Sequence, residues 1–382
     1  MELFRIIENK NTGTTFNIYP DPAHVDRDYL QAAGKANCRI ISLGVETMDP
    51  DAAAEMNRKF DHDEFFNALD LLRGKGDTPQ VDMMYGLPKQ SVRSFGRDLV
   101  RLRLEQVDQV LFSPLMIFPG TELEECTEDK GISTLDCPQQ YGYNREGGKD
   151  EYASLIMMSE SYQFLRQFHR TDYYIRSVAD CRSDYERVLE QWFFASVDKC
   201  RNRVLALQEE MAAGSAYIRT NAESLTQKIS ALFIESMDNK LQELEFLFEL
   251  VRMDILEVAM KRMNDERARD IHPRLPSRSM ILPEEFIKLK WVLSEEAWLE
   301  THAVPYELAS RGGSHTPGEE PNRVFCVYFC PESKIFFVDE NEFDFLGRFS
   351  KPRRLFDSQN AYSSEALETA GKWSRLGVLR IV

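Results

Sequence analysis

The 382-residue sequence lacks the short motifs and long apolar runs by which many proteins are recognised. No stretch approaches the ~20 consecutive apolar residues of a membrane span. The first residues carry neither the basic region nor the apolar region of a signal peptide. There is no P-loop, no GxGxxG fingerprint, no CxxC pair and no HExxH helix. These absences argue against a membrane-spanning protein and against nucleotide or zinc sites of the common motif-based kinds.

Positive charge is also in short supply. The chain has 47 Lys and Arg residues against 63 Asp and Glu residues, which gives a formal net charge of -16. Nonspecific binding to nucleic acid or to an anionic membrane needs a positive surface, so the sequence predicts neither partner. The seven cysteines are scattered and odd in number, which favours a reducing, cytoplasmic location over a disulfide framework. Cys326 and Cys330 share one face of a predicted strand, where packing as small hydrophobic side chains is favoured over metal binding.

The chain does contain enough apolar residues for a core, since 43% are hydrophobic and 29% are charged. The first ~125 residues alternate between strand and helix patterns at the spacing of βαβ units. Asp26, Asp49 (before Pro50) and Ser91 each stand where an N-cap precedes a helical pattern. Strand and helix in alternation predict a parallel sheet.

Proline is absent between Pro138 and Pro273, and apolar residues recur there at helical spacing. A proline-rich tract then marks a boundary, and the segment RVFCVYFCPESKIFFV beyond it predicts a β-hairpin. The sequence thus predicts an α/β chain of three parts. Residues 1–125 form part of a parallel (β/α) core, residues 126–272 a helical domain, and residues 273–382 a small α+β module.

Ligands of parallel α/β folds bind at the carboxyl ends of the strands, so the residues there are the candidate site. The stretch VDMMYGLPKQS, residues 81–91, places an aspartate within a strand and follows it with a Gly-Leu-Pro corner. The predicted strand ends carry polar residues, together with glycines that let a ligand approach the backbone closely. They include Asn17, Tyr19, Gly44, Glu46, Thr47, Asp82, Tyr85, Gly86, Phe118, Pro119, Gly120 and Thr121.

Three segments, taken in order, resemble successive strands of the radical S-adenosylmethionine (SAM) superfamily. They are ISLGVETMDPDAAAEMNRKF, VDMMYGLPKQSVRSFGRDL and FSPLMIFPGTELEE. The subgroup most similar in texture includes oxygen-independent coproporphyrinogen oxidases and cobalamin-binding radical SAM enzymes. Its pattern is a Gly-x-Glu strand end, an Asn-Arg pair, an Asp-x-x-x-Gly-Leu-Pro strand end and a Pro-Gly-Thr loop, and all four occur in order. The resemblance covers about the first third of the chain and implies a partial parallel (β/α) barrel of radical SAM type.

The resemblance also implies a role for each matching residue. Glu46 would lie by the ribose or amino group of SAM, and Arg58 would pair with the SAM carboxylate through a forked guanidinium contact. Asp82 would hold the ribose hydroxyls or a neighbouring donor, and the Gly-Leu-Pro corner would form the adenine wall. The other implied cofactor-binding residues are Asn17, Gly86, Leu87, Pro88 and Gly120. Asn17 stands where many relatives have a glutamate.

One part of the family pattern does not occur in the sequence. The Cys-x3-Cys-x2-Cys loop, whose thiolates bind three irons of a [4Fe–4S] cluster, is absent. Because MELFRIIEN resembles the helix after the second barrel strand, the cluster loop and any cobalamin domain are expected upstream of a truncated chain. The intact enzyme would use SAM, the cluster and, with such a domain, cobalamin to abstract hydrogen from, or methylate, a small-molecule or peptide substrate. This chain alone is expected to hold no metal cluster and to be inactive, and its catalytic residues stay unknown.

A second interpretation is a non-catalytic binding or interaction protein that keeps the barrel half as a scaffold. The segment KIFFVDENEFDFLGRF has the strand-then-helix pattern of small recognition modules. Taken singly, Glu46 fits a turn before a helix, Arg58 a solvated helix residue and Asp82 a carboxylate with a structural partner. The open edge of a partial barrel predicts self-association.

Overall fold

The computed structural model describes most of the first 269 residues and separate short segments after them. The described residues are 2–10, 13–135, 141–178, 182–198, 201–236, 246–269, 290–293, 297–304, 309–310, 323–329, 334–350, 353–354, 369–370, 372–373 and 378–381. The chain forms two compact units, of which the first comprises residues 1–166 and 180–204 and the second residues 167–179 and 205–382. The division at residues 125 and 272 stays a prediction.

Strands and helices alternate along the start of the chain, as the sequence pattern predicts. The elements up to residue 165 are α1 (Glu2–Lys10), β1 (Phe16–Ile18), α2 (Arg27–Lys35), β2 (Cys38–Glu46), α3 (Pro50–Glu55), α4 (His62–Gly74), β3 (Gln80–Tyr85), α5 (Val92–Leu104), β4 (Gln109–Pro114), α6 (Glu122–Glu125), β5 (Ile132–Thr134), β6 (Gly142–Asn144) and α7 (Gly148–Leu165).

The rest of the described chain is helical first and then mixed. The helices are α8 (His169–Val178), α9 (Arg182–Asp198), α10 (Arg201–Ala212), α11 (Ser215–Thr220), α12 (Ala222–Ser236) and α13 (Leu247–Arg269). They are followed by β7 (Lys290–Leu293), β8 (Ala297–Ala303), β9 (Arg323–Phe329), β10 (Lys334–Val338), α14 (Glu340–Gly347), β11 (Arg353–Arg354) and β12 (Leu379–Ile381).

The three predicted helix caps are confirmed. The side chain of Asp26 accepts a hydrogen bond from the Tyr29 amide at 2.7 Å. Asp49 caps α3, which has proline at its first position, and Ser91 caps α5. Each cap supplies an acceptor to an amide that has no partner within its helix, which fixes where the helix begins.

The first unit is built on a parallel sheet in the order β1-β2-β3-β4. Its covered face packs against helices and carries buried apolar residues, Leu43, Val81, Met83 and Val110 among them. The opposite side, here called the open face, is more polar. It carries Asn17, Ile40, Ser42, Gly44, Gln80, Asp82, Met84, Gln109, Leu111 and Ser113, which share one side by strand register. The α/β class and the parallel sheet are therefore confirmed, while the four strands among the described residues do not close a barrel.

A β5–β6 hairpin lies beyond the carboxyl ends of β3 and β4. The Leu115 amide donates to the Tyr85 carbonyl at 2.9 Å, and the Gly142 amide donates to the Leu115 carbonyl at 2.8 Å. An apolar cluster forms at this rim from Ala52, Leu87, Leu115, Ile117 and Ile132. The hairpin thus covers one part of the rim and leaves the end of β2 outside the cover.

The second unit combines helices with two small antiparallel sheets, ordered β10-β9-β8 and β11-β7-β12. The predicted hairpin is confirmed, because Lys334 pairs with Phe329 and Val338 with Phe325. Burial raises the pKa of the Cys326 thiol to about 12, which agrees with a packed side chain, whereas Cys330 lies outside the described residues. None of the helices within the described ranges is long and apolar enough to cross a membrane.

Candidate functional site at the end of strand β2

Strand β2 ends in a sharp turn at Glu46. The backbone of Glu46 has a φ of 64°, in the left-handed region, and the Thr47 amide donates to the Val45 carbonyl at 2.7 Å. The register with β3 is also broken between Gly44 and Glu46. A non-glycine residue with positive φ is uncommon, and such strain is found disproportionately at functional sites. This geometry singles out Glu46 among the strand-end residues.

Glu46 forms an ion pair with Arg58, from the chain just after α3. Nη1 of Arg58 lies 2.8 Å from Oε1 of Glu46, and Nη2 donates to the Gly44 carbonyl at 3.4 Å. Burial raises the pKa of Glu46, and the positive charge of Arg58 opposes that shift. The structure therefore brings together Glu46, to which the resemblance assigns the ribose or amino group of SAM, and Arg58, to which it assigns the SAM carboxylate.

Asp82 lies beside this pair on the open face. It is aligned with Gly44 on β2 and with Leu111 on β4, so it lies inside β3. The sequence analysis placed this aspartate within a strand but also counted it among the strand-end residues, and the second placement is wrong. Its Oδ1 atom is buried and has no hydrogen-bond partner among the described residues. Burial raises the pKa of Asp82, and a hydrogen bond with the Ser42 hydroxyl works in the opposite direction. An unsatisfied carboxylate oxygen is costly, so this atom is suited to accept a hydrogen bond from a ligand.

The Gly-Leu-Pro corner packs against protein. Gly86 has a φ of 87°, and a Cβ there would stand 2.6 Å from the Gly142 carbonyl oxygen and 3.0 Å from the ring of Tyr152. Gly86, Leu87 and Pro88 are all buried. Glycine is required at this position by both the backbone angle and the close approach of the hairpin. The role of the corner as an adenine wall stays a prediction.

Gln90 holds the corner together, and sequence reasoning missed it. Its Oε1 accepts from the amides of Gly86 at 2.9 Å and Leu87 at 3.3 Å, and its Nε2 donates to the Met84 carbonyl at 3.0 Å. The side chain is fully buried. The sequence pattern that could have indicated this role is an amide side chain, Gln90, two residues after Pro88 of the turn.

Asn17 and Gly120 are found at more distant positions. Asn17 is exposed on β1, aligned with Ile40. Gly120 is exposed in the loop after β4, where its amide donates to Oε2 of Glu124 at 2.7 Å. A cavity of about 20 Å³ lies at the end of β2, and of the eight predicted residues Glu46, Arg58 and Leu87 line it. That volume holds about one water molecule.

A second residue that sequence reasoning missed is Asp98 of α5. It is 5% exposed, and its Oδ2 accepts from the Thr47 hydroxyl at 3.1 Å and the Met48 amide at 3.0 Å. Burial raises the pKa of Asp98 to about 7. The signal was its helical spacing, since Asp98 follows Phe95 by three positions and precedes Leu102 by four, on the apolar side of the helix.

Sequence comparison decides the ancestry of this rim. Residues 1–101 match the model of the radical SAM superfamily. Residues 1–101 belong to the radical SAM superfamily. The match contains the first two segments on which the resemblance rests and ends before the third, residues 112–125. It also contains Glu46, Arg58 and Asp82.

Curated relatives of this radical SAM segment are oxygen-independent coproporphyrinogen III oxidases. The oxidase of Thermostichus vulcanus is 31% identical over 91 residues, which are 23% of this chain and 28% of that protein. The oxidase of Escherichia coli strain K12 is 30% identical over 103 residues, 27% of this chain and 22% of that protein. The chain therefore matches about a quarter of the length of these relatives.

Two solved structures share weaker similarity. Coproporphyrinogen III oxidase from Escherichia coli is 19% identical with a TM-score of 0.27, covering 42% of each chain. The radical SAM methyltransferase TsrM from Kitasatospora setae, solved with cobalamin and a [4Fe–4S] cluster, is 16% identical with a TM-score of 0.30, covering 36% of this chain and 31% of its own. Scores this low carry no conclusion about cofactors.

The radical SAM segment fits the two expected cofactors unequally. The ion pair and the partnerless Asp82 oxygen offer charged and polar groups suited to SAM. By contrast, no group of three His, Cys, Asp or Glu side chains within the described ranges is placed to hold a metal ion. The described residues therefore do not fit a [4Fe–4S] cluster.

Proposed function

We propose that this chain is part of a radical SAM enzyme and that Glu46, Arg58 and Asp82 form its binding site for SAM. The observation that carries the proposal is the Glu46–Arg58 ion pair beside a buried carboxylate oxygen without a partner. Membership of residues 1–101 in the superfamily supports it.

The pair has the charge pattern of an amino-acid zwitterion in reverse. The guanidinium of Arg58 can hold the α-carboxylate of SAM through a forked contact, while the carboxylate of Glu46 accepts from the α-ammonium group. Asp82, one strand away on the open face, would accept hydrogen bonds from the ribose hydroxyls. Gly44 lies between them in the sheet and leaves room for the ligand because it has no side chain.

The chemistry of the intact enzyme is a further part of the proposal. Hydrogen abstraction from, or with cobalamin methylation of, a small-molecule or peptide substrate is the activity proposed for it. Because the described residues do not fit the cluster, we assign to this chain the binding of SAM alone and no step of the reaction. SAM bound and never cleaved, even by the longest chain available, would favour the non-catalytic interpretation.

Calorimetric titration with SAM tests the site. Arg58→Gln and Asp82→Asn should each weaken binding about tenfold or more, because each removes a charged hydrogen-bond partner. The matched control is Arg39→Gln, which removes an exposed arginine from the same strand β2 and should leave binding unchanged. Undetectable binding to the unmodified chain, or equal binding by all three variants, would overturn the proposal.

Self-association through the sheet edges is proposed as well. Within the described residues β1 pairs with β2 alone and β4 with β3 alone, so each outer strand has a side on which no further strand is paired. Leu111 on β4 is 48% exposed and adds apolar surface at one edge. Light scattering should show concentration-dependent oligomers that Leu111→Lys reduces, whereas a monomer at all concentrations would contradict this.

A further inference from the structure

The turn that carries Glu46 is held from helix α5. Oδ2 of Asp98 accepts from the Thr47 hydroxyl at 3.1 Å and from the Met48 amide at 3.0 Å. The same hydroxyl oxygen accepts from the Asp49 amide at 3.1 Å. One carboxylate and one hydroxyl therefore fix the three residues that follow Glu46 in the chain.

The position of Asp98 makes this arrangement costly. The residue is 5% exposed and lies on the apolar side of an amphipathic helix, where its neighbours Leu99 and Leu102 are fully buried. A buried carboxylate loses hydration that a leucine at the same position would not need. The hydrogen bonds that compensate Asp98 go to the strand-end turn and not to its own helix, so the cost is connected to the conformation of that turn.

We propose that Asp98 is a positioning residue for the SAM site, which acts through Thr47 and Met48 to hold the Glu46 carboxylate against Arg58. The inference rests on the proposed function. It adds the device that keeps the left-handed backbone of Glu46 in place before a ligand arrives. Strained backbone of this kind persists only where surrounding contacts over-determine it.

Because Asp98 can ionise, the strength of its hydrogen bonds with Thr47 and Met48 depends on pH. Asp98 lines a cleft of about 500 Å³ on the helical side of the sheet, which gives protons access to it. The charged and titratable groups that face it there are Asp49, Asp51, His62, Arg97, Arg101, Glu186 and Glu190. Burial raises the pKa of Asp98 to about 7, and the charge of Asp49 adds to that shift. An ionised carboxylate accepts stronger hydrogen bonds than a neutral one, so the turn is held more firmly above that pH.

Rising pH has opposite effects on the stability of the whole protein and on the hydrogen bonds that hold the turn. The pKa of Asp98 in the folded protein lies above its ordinary value of 3.8, so the folded state keeps a proton that the unfolded chain has already lost. Between pH 3.8 and about pH 7, the contribution of Asp98 to the free energy of unfolding therefore falls as pH rises. If Asp98 affected only global stability, the turn after Glu46 would not become more ordered in the pH range where the protein becomes less stable.

Amide hydrogen exchange on the full chain tests this without a ligand. The protection factor of the Met48 amide, divided by that of the buried Leu69 amide, should rise about fivefold from about pH 5.5 to about pH 8.5. Asp98→Asn keeps an acceptor but cannot ionise, so its ratio should stay flat. A flat ratio in the unmodified chain, or a rise preserved in Asp98→Asn, would overturn the inference.

A second variant pair connects the turn to binding. Thr47→Val removes the hydroxyl that links Asp98 to Asp49, and Thr47→Ser restores it. Thr47→Val should weaken SAM binding about fivefold while Thr47→Ser binds as the unmodified chain does. Equal binding by all three would overturn the inference and leave the proposed function standing, whereas no SAM binding by the unmodified chain would overturn both.

Discussion

Asp254 of the second unit and Asp82 on the open face of the first unit differ in how their carboxylates are partnered. In the second unit Asp254 is 1% exposed, and it is bound by Nη1 of Arg170 at 3.0 Å and by the Thr171 amide and hydroxyl at 3.0 and 2.9 Å. In the first unit Oδ1 of Asp82 has no partner among the described residues. The Asp254 carboxylate holds together parts of the second unit, whereas Oδ1 of Asp82 on the open face is the atom proposed to accept a hydrogen bond from SAM.

A second group of polar side chains in the second unit is also partnered. In the second unit His302 is fully buried, with Nδ1 3.0 Å from Oε2 of Glu249 and Nε2 2.9 Å from the hydroxyl of Tyr328. Both ring nitrogens therefore have partners. Such a network supports one packed arrangement of these side chains.

The largest expected effect comes from opening the second-unit network. Asp254→Ala should lower the free energy of unfolding by about 3–5 kcal/mol, because it leaves the buried charge of Arg170 with one carboxylate partner fewer. Urea denaturation followed by circular dichroism measures the change. The control is Glu210→Gln, which breaks an exposed pair with Lys228 and should cost under about 1 kcal/mol. Equal losses in the two variants would remove the contrast between buried and exposed pairs.

A smaller effect is expected at the corner of the first unit. Gly76 and Gly86 both have a φ of 87°, but a Cβ at Gly76 meets nothing within 4 Å. Gly76→Ala should therefore cost about 1–2 kcal/mol from backbone strain alone. Gly86→Ala should cost about 1–3 kcal/mol more, because the Gly142 carbonyl must also move. If the two variants unfold at the same urea concentration, the corner is not packed against the hairpin.

Asp82→Asn should change stability little and in the favourable direction. Burial raises the pKa of Asp82 in the folded protein, so its charge opposes folding at neutral pH and its removal should raise the denaturation midpoint slightly. The same variant loses SAM affinity, as proposed above. A stability loss of the size expected for Asp254→Ala would mean that Asp82 serves the fold, and the contrast between the units would fail.

The smallest effect concerns acid. A hydrogen bond from His302 is the main cause that lowers the pKa of Glu249. Glu249 therefore contributes stability above its ordinary value of 4.5, and this contribution is lost as pH falls through the lower folded pKa. Glu249→Gln should flatten the decline of thermal stability between about pH 6 and about pH 3, whereas Asp98→Asn should not. An unchanged slope in Glu249→Gln would contradict the assignment.

Local patterns predicted the elements of the first unit well, because caps and strand alternation depend on neighbouring residues. The caps at Asp26, Asp49 and Ser91 follow from such patterns. Family resemblance placed Glu46 and Arg58 at one site, whereas their ion pair with each other became visible only in the structure. What the sequence did not predict depends on distant partners. Asp98 meets Met48 across 50 positions of the chain.

The corner at Gly86 shows the same limit. Its packing depends on the Gly142 carbonyl of a hairpin that arrives later in the chain, and no local pattern indicates that contact. The missing partner of Asp82 likewise becomes visible only once the register of β2, β3 and β4 is fixed. The cofactor roles of Asn17 and Gly120 stay predictions.

The bonds that Gln90 makes to Met84, Gly86 and Leu87 have a thermodynamic consequence for any ligand of the open face. They close the corner within residues 84–90, so its backbone entropy is lost when the chain folds and not when a ligand arrives. Binding beside a pre-organised corner has less ordering to offset, which increases affinity without any added contact. The calorimetric signature would be a small unfavourable entropy of association, and Gln90→Ala would enlarge it while leaving every ligand-contacting side chain in place.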